Sequence, residues 1–188
     1  MRLLHEQGFT LVETLLGVAL LIGGASAFLI GLNGTMVHSE YLSQYQVALN
    51  AAQGQLEALA ATRLDLLSTG GNFGPARANG QGVGIGEDLN CNGVLDGGED
   101  VNGNGRLDSP LPGGCLAIQI KNIDGSVPAA DSTVLDLHVA ACWRFRGRTI
   151  GEDQNCNGQL DPGSGEDLNG NGWLDSPVMV STRVAKRD

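Results

Sequence analysis

Four short segments of the chain place aspartate and asparagine at alternate positions around a glycine. Each segment reads Glu-Asp-x-Asn-x-Asn-Gly-x-Leu-Asp, and two of them occur in each of the stretches 86–110 and 151–177. Alternate oxygen-bearing side chains can converge on one hard cation when a glycine bends the chain between them. The pattern therefore predicts a calcium site in each segment, and plain Asn-Gly turns are the alternative.

Numbering Asp88 as the first loop position places Asn90, Asn92, Asp96 and Glu99 at the third, fifth, ninth and twelfth positions, which are EF-hand ligand positions. The twelfth residue of the other loops is Leu111, Ser164 or Val178, although Glu166 could close the third loop from two residues further on. The candidate ligands, main-chain carbonyls of the seventh residues included, are Asp88, Asn90, Asn92, Val94, Asp96 and Glu99; Asp100, Asn102, Asn104, Arg106 and Asp108; Asp153, Asn155, Asn157, Gln159, Asp161 and Glu166; and Asp167, Asn169, Asn171, Trp173 and Asp175.

The sequence around the loops indicates what kind of calcium site they form. No amphipathic helix pattern flanks them, and Pro110, Pro162 and Pro177 interrupt the chain beside them. The loops are similar to the helix-free calcium loops of thrombospondin type 3 repeats. This resemblance implies a structural role rather than switching.

Cysteine usage indicates an oxidising compartment. There are four cysteines, with no Cys-x-x-Cys spacing and no nearby histidine, so disulfides are favoured over zinc. Two pairings remain open: Cys91–Cys156 with Cys115–Cys142, or Cys91–Cys115 with Cys142–Cys156.

Charge and histidine placement argue against two function classes. The net charge is −10, and 12 of the 21 acidic residues fall within 87–108 and 152–175. A nucleic-acid partner is not expected, because such surfaces need clustered Lys and Arg. His5, His38 and His138 are scattered and no catalytic motif accompanies them, so we do not expect an enzyme.

The N-terminal region contains a segment long enough to span a membrane. Thr14 to Leu32 is 19 residues without a charge, and Glu13 directly precedes it. Two simple interpretations are a plain membrane anchor and a secretory signal peptide cut after Ala25-Ser26-Ala27, which would leave Phe28 first. Neither explains Glu13, because a carboxylate inside a membrane-spanning segment is expensive.

A third interpretation rests on the stretch Gly8-Phe9-Thr10-Leu11-Val12-Glu13, which resembles the processing site of type IV pilins and type II secretion pseudopilins. The resemblance implies a leader at 1–8, cleavage by prepilin peptidase between Gly8 and Phe9, and N-methylation of Phe9. It implies that Glu13 meets the N-terminal amine of a neighbouring subunit during assembly.

The same resemblance implies a minor pilin or pseudopilin, a structural subunit of a type IV pilus or type II secretion filament. Its partners would be other pilin or pseudopilin subunits. The chain would cross the bacterial inner membrane once, with a cytoplasmic N-terminus and a periplasmic or extracellular head. The alternative is a secreted or membrane-anchored calcium-binding adhesion or interaction protein without a filament role.

The expected fold is α+β and pilin-like: a long helix packed on a small antiparallel sheet that carries two duplicated calcium-loop insertions. The helix has a transmembrane half at 9–33 and an amphipathic half at 34–68, and the head spans 69–188. Strands are predicted from Cys115, Ser132 and Pro177. The glycine-rich stretch 68–86 is predicted to be a linker without regular structure. Both insertions should lie at the same end of the first hairpin.

Overall fold

The computed structural model describes residues 10–68, 82–111, 113–161 and 163–186. Gly8 and Phe9, the predicted processing residues, lie outside the described residues. The chain divides after Leu42 into two compact units, which are described separately below.

The described residues of the first unit belong to the exposed N-terminal part of a long helix. Helix α1 spans Leu11–Ala60, and among the described residues it is the one helix long and apolar enough to cross a membrane. Thr10 caps its start, because Thr10 Oγ1 accepts a hydrogen bond from Glu13 N at 3.3 Å. The apolar N-terminal helix is suited to a membrane anchor or to a signal sequence, and Glu13 lies in its first turn.

The long helix ends earlier than the sequence predicted. One helix to residue 68 was expected, but α1 ends at Ala60 and a separate short helix, α2, spans Leu64–Ser68. The break begins where Thr62 N bonds to Leu59 O, three residues back, while the Thr62 hydroxyl bonds to Ala58 O. The three-residue bond at Thr62 N replaces the four-residue bond of an α-helix, so α1 stops here and helical structure resumes only at Leu64.

In the second unit the described residues form an antiparallel sheet of five strands. Its strands are β1 (Gly82–Gly84), β2 (Cys115–Asn122), β3 (Val134–Phe145), β4 (Arg148–Ile150) and β5 (Met179–Ala185). The order is β1-β2-β3, and the other edge of β3 pairs with β4 near Trp143 and with β5 from Val134 to Ala140. The α+β layout and the three longer predicted strands are confirmed.

Strand β1 corrects the prediction that the glycine-rich stretch lacks regular structure. Its three residues pair with Cys115–Ala117 of β2. The glycines are required by close packing, because a Cβ on Gly82 would overlap the Asn157 carbonyl and a Cβ on Gly84 would overlap the main chain at Asp88. Glycine-rich composition usually predicts a linker. Here the absence of side chains allows β1 to lie against an acidic loop.

The core lies on one face of the sheet. Alternate residues such as Ile118, Ile120, Leu137 and Val139 are fully buried, as β-strand periodicity requires. Helix α1 contributes Ala48, Ala52 and Leu59, which are also fully buried. The small alanines, four residues apart, lie on one face of the helix. The opposite face of the sheet carries polar residues and is partly covered by the last acidic loop.

Candidate functional site

The four acidic loops, named loops 1 to 4 in chain order (88–96, 100–108, 153–161 and 167–175), share one backbone conformation. In each, the fourth and sixth residues have positive φ, which L-residues other than glycine rarely adopt. Six of these eight positions are glycine, and the exceptions are Cys91 (φ 61°) and Cys156 (φ 55°). The duplicated sequence therefore folds into four equivalent turns.

Side chains at the first, third, fifth and ninth positions turn inward in every loop. In loop 1 the two Asp88 carboxylate oxygens accept hydrogen bonds from Asn92 N and Gly93 N at 3.1 and 2.8 Å. The side-chain amides of Asn90 and Asn92 donate to Asp96 Oδ2 at 2.8 and 2.7 Å. These two hydrogen bonds lower the pKa of Asp96. The predicted ligand side chains of each loop are thus brought together.

Two glutamates predicted to close loops 1 and 3 reach those loops. Glu99 accepts hydrogen bonds from Leu89 N and Asp96 N, at 3.0 and 2.9 Å, with its two oxygens. Glu166 accepts the equivalent bonds from Gln154 N and Asp161 N, at 3.3 and 3.0 Å. Both carboxylates are almost completely buried. Each therefore joins the second residue of its loop to the ninth.

Glu87 and Glu152 were missed in the sequence. Glu87 accepts hydrogen bonds from Val101 N and Asp108 N of loop 2, at 3.1 and 2.9 Å. Glu152 accepts a bond from Asp175 N of loop 4 at 3.0 Å. The repeated motif itself could have revealed them. Every copy begins with a glutamate, although an EF-hand has no ligand position before its first aspartate.

The first aspartates of loops 1 and 3 are more buried than those of loops 2 and 4. Asp88 and Asp153 are 3% and 2% exposed, whereas Asp100 and Asp167 are half-buried. Burial disfavours the charged carboxylate and raises the pKa of Asp153 to about 6, although main-chain hydrogen bonds partly oppose this. We call loops 1 and 3, whose first aspartates are buried, the inner loops and loops 2 and 4 the outer loops.

The disulfides attach the inner loops to the sheet. Cys91 of loop 1 bonds to Cys115 at the start of β2, and Cys156 of loop 3 bonds to Cys142 on β3. This is the second of the two pairings that the sequence left open. The equivalent residues of loops 2 and 4 are Gly103 and Gly170, which carry no such attachment.

Loop 4 contacts the polar face of the sheet through Trp173. Its ring stacks on His138 at a centroid distance of 4.8 Å, and Lys121 Nζ lies 3.9 Å from the ring centroid. Lys121 donates to Gly172 O, and Leu174 N donates to Gln119 Oε1 at 2.7 Å. Burial lowers the pKa of both Lys121 and His138. The predicted carbonyl ligand Trp173 therefore also positions its loop.

The candidate metal-ligating atoms of the loops are oxygen atoms. Among the residues that the structure describes, no group of three or more His, Cys, Asp or Glu side chains is arranged to hold a metal. Each loop itself has two aspartates, and the remaining candidate donors are asparagine and main-chain oxygens. Such a mixture suits calcium, which accepts neutral oxygen ligands, better than it suits zinc.

We compared the chain with known proteins at three levels: no protein-family model, no curated sequence and no solved structure matches it.

Proposed function

We propose that the protein is a structural subunit of a type IV pilus or type II secretion filament, a minor pilin or pseudopilin with a disulfide- and calcium-stabilised head. The observation that carries the proposal is the stretch Gly8 to Glu13 directly before an exposed apolar helix. In this proposal prepilin peptidase cuts before Phe9. The helix then anchors the subunit in the inner membrane with its head outside the cytoplasm, until other subunits recruit it.

Glu13 would be the assembly residue. Cleavage before Phe9 would create a cationic amine four residues before this carboxylate, about one helical turn away. Docking an amine from a neighbouring subunit against Glu13 would relieve the penalty of placing the charge in lipid. The proposal thus gives the one acidic residue in the first turn of α1 a function that requires a partner.

Processing is tested by the intact mass and N-terminal sequence of the protein isolated from its own cell membranes. The proposal expects a chain that starts at methylated Phe9. A chain that starts at Phe28 would instead identify a secreted protein and remove the basis for filament assembly.

Assembly is tested by Glu13→Ala, with Glu57→Ala as the matched control. Glu57 is an exposed glutamate on the same helix, outside the apolar segment. We expect Glu13→Ala to reduce incorporation into filaments severely and Glu57→Ala to leave it unchanged. Equal incorporation of both variants would contradict the docking role.

Calcium is the proposed stabiliser of the head. The oxygens of Asp88, Asn90, Asn92 and Asp96, with the Val94 carbonyl, would hold the ion in loop 1, and the equivalent residues would do so in the other loops. The oxygen donor set and the glycine-dependent turn fit calcium. Two aspartates per loop provide little charge, which favours weak sites with dissociation constants of roughly 10⁻⁴ to 10⁻³ M.

One observation favours a second candidate, a secreted or membrane-anchored calcium-binding adhesion protein without a filament role. Thr10 caps α1 through Glu13 N, and an acidic residue near a helix N-terminus is stabilising in itself. Glu13 then needs no partner subunit. The Glu13→Ala experiment separates the two candidates, because the substitution keeps the main-chain N–H that Thr10 caps and, without a filament role, the unmodified chain would not enter filaments either.

A further inference from the structure

The two loops of each duplicated module are joined by an exchange of glutamates. Glu87 directly precedes loop 1 but bonds to loop 2, whereas Glu99 directly precedes loop 2 but bonds to loop 1. The second module repeats the arrangement, since Glu152 precedes loop 3 and reaches loop 4, while Glu166 precedes loop 4 and reaches loop 3.

Glu87 and Glu99 make equivalent contacts in the first module, and Glu152 makes one of the two contacts at loop 4, the bond from Asp175 N. Glu87 joins the second and ninth residues of loop 2, Val101 and Asp108, as Glu99 joins the second and ninth residues of loop 1. The glutamate of loop 1 stands at the twelfth position of an EF-hand, but loops 2 and 4 have Leu111 and Val178 there. The carboxylate that these loops lack downstream is supplied from the start of the module.

We propose that Glu87 and Glu152 are the closing carboxylates of loops 2 and 4, and that each module therefore binds calcium as a cooperative pair of loops. The proposal rests on the calcium binding proposed above. Ordering one loop fixes the glutamate that closes its partner, because that glutamate adjoins the first aspartate of the ordered loop. Binding in one loop then removes part of the ordering cost of the other.

Loop 4 provides its own reporter. Trp173 is its seventh residue, so terbium bound there would be excited through the indole. Terbium titration of the full-length chain in detergent should give sensitised emission that calcium reverses. Trp173→Phe should remove this emission and thereby identify loop 4 as the site, because energy transfer to terbium requires an indole close to the ion.

The decisive variant is Glu152→Gln, which keeps the size of the side chain but removes its charge. Groups that support metal ligands typically change affinity by about 10- to 100-fold, and we expect terbium affinity at loop 4 to fall by that range. Glu87→Gln is the matched control, because it changes the same position of the other module and should leave loop 4 unchanged. Equal effects of both variants, or no effect of Glu152→Gln, would overturn the proposal.

A second variant tests the pairing if Glu152→Gln fails to fold. Asp153→Asn removes a charged donor from loop 3 and should weaken terbium binding at loop 4 and lower the Hill coefficient for calcium. Unchanged binding at loop 4 would mean that the loops are independent. Absence of any terbium or calcium binding in the unmodified chain would instead refute the calcium proposal itself, so the two failures are distinguishable.

Discussion

Cys115 and Cys142 are direct partners across β2 and β3, yet each forms its disulfide with the fourth residue of a different acidic loop. The two disulfides therefore lie side by side at one end of the sheet. Both inner loops are fixed to neighbouring points of the same hairpin, so the prediction that the modules share one end of the hairpin is confirmed. Cys91 and Cys156 have positive φ, as the glycines at the equivalent positions of the outer loops do.

The disulfides should contribute substantially to the stability of the head. The Cys91–Cys115 bond closes 24 residues and the Cys142–Cys156 bond closes 14. Chain-entropy arguments give about 3.5 and 3 kcal/mol for loops of these lengths. We expect Cys91→Ser with Cys115→Ser to lower the free energy of unfolding by about that amount in denaturant titrations. Non-reduced peptide mapping checks the pairing, and a peptide that links Cys91 to Cys156 would contradict it.

Removal of calcium should lower the melting temperature of the head. A site whose dissociation constant is one tenth of the free calcium concentration adds about 1.4 kcal/mol to stability. Calorimetry of the full-length chain with 1 mM calcium and with excess chelator measures the difference. Magnesium is the control ion, because it prefers a smaller, octahedral site. An identical melting temperature in chelator would refute the structural role.

Gly158 should be much less replaceable than Gly93, although both are sixth residues of inner loops with similar φ of 77° and 72°. A Cβ on Gly158 would overlap the main chain of Gly82 in β1, whereas a Cβ on Gly93 would meet nothing within 4 Å. Both substitutions to alanine carry the strain of positive φ, about 1 to 2 kcal/mol. We expect Gly158→Ala to cost about 1 to 3 kcal/mol more by overpacking, measured by chemical unfolding. Equal costs would contradict the packing of β1 on loop 3.

The ion pair between Asp136 and Arg183 should make the stability of the sheet depend on pH in the acidic range. Arg183 Nε donates to Asp136 Oδ1 at 2.7 Å, and this hydrogen bond lowers the pKa of Asp136. A lowered folded-state pKa adds stability above the unfolded value near 3.8, and that stability is lost as pH falls through the folded value. The stability curves of the unmodified chain and Asp136→Asn should therefore separate above about pH 4 and converge in stronger acid. The pair is exposed, so the separation should be small and should shrink in high salt.

The sheet was predictable because its strands follow simple periodicity. In β3 the inward residues Leu135, Leu137 and Val139 alternate with Asp136 and His138, and the predicted strand contains the observed one. The position of Cys115 opposite Cys142 also followed from the hairpin. What the spacing could not decide was the disulfide pairing, because Cys91 and Cys156 hold equivalent loop positions and could pair with each other or with the strand cysteines.

The glutamate exchange and β1 depend on contacts that local patterns do not encode. A position-by-position comparison with one calcium loop assigns Glu99 to loop 1 but leaves Glu87 without a place, since its partners Val101 and Asp108 are 14 and 21 residues away. Likewise, the glycines at 82 and 84 indicate flexibility until the neighbouring loop main chain is present. Neither the glutamate exchange nor β1 could be predicted, because both depend on tertiary contacts around the loops.

Each module leaves and rejoins the head at nearly the same point. Glu87 N bonds to Asp108 O at 3.0 Å, and Glu152 N bonds to Asp175 O at 2.8 Å, so each module is closed by a hydrogen bond between residues close to its two ends. A segment with adjacent ends can be gained, copied or deleted without forcing the flanking strands apart. The duplicated module is thus an insertion with adjacent ends, and such a segment could be grafted between the strands of an unrelated hairpin.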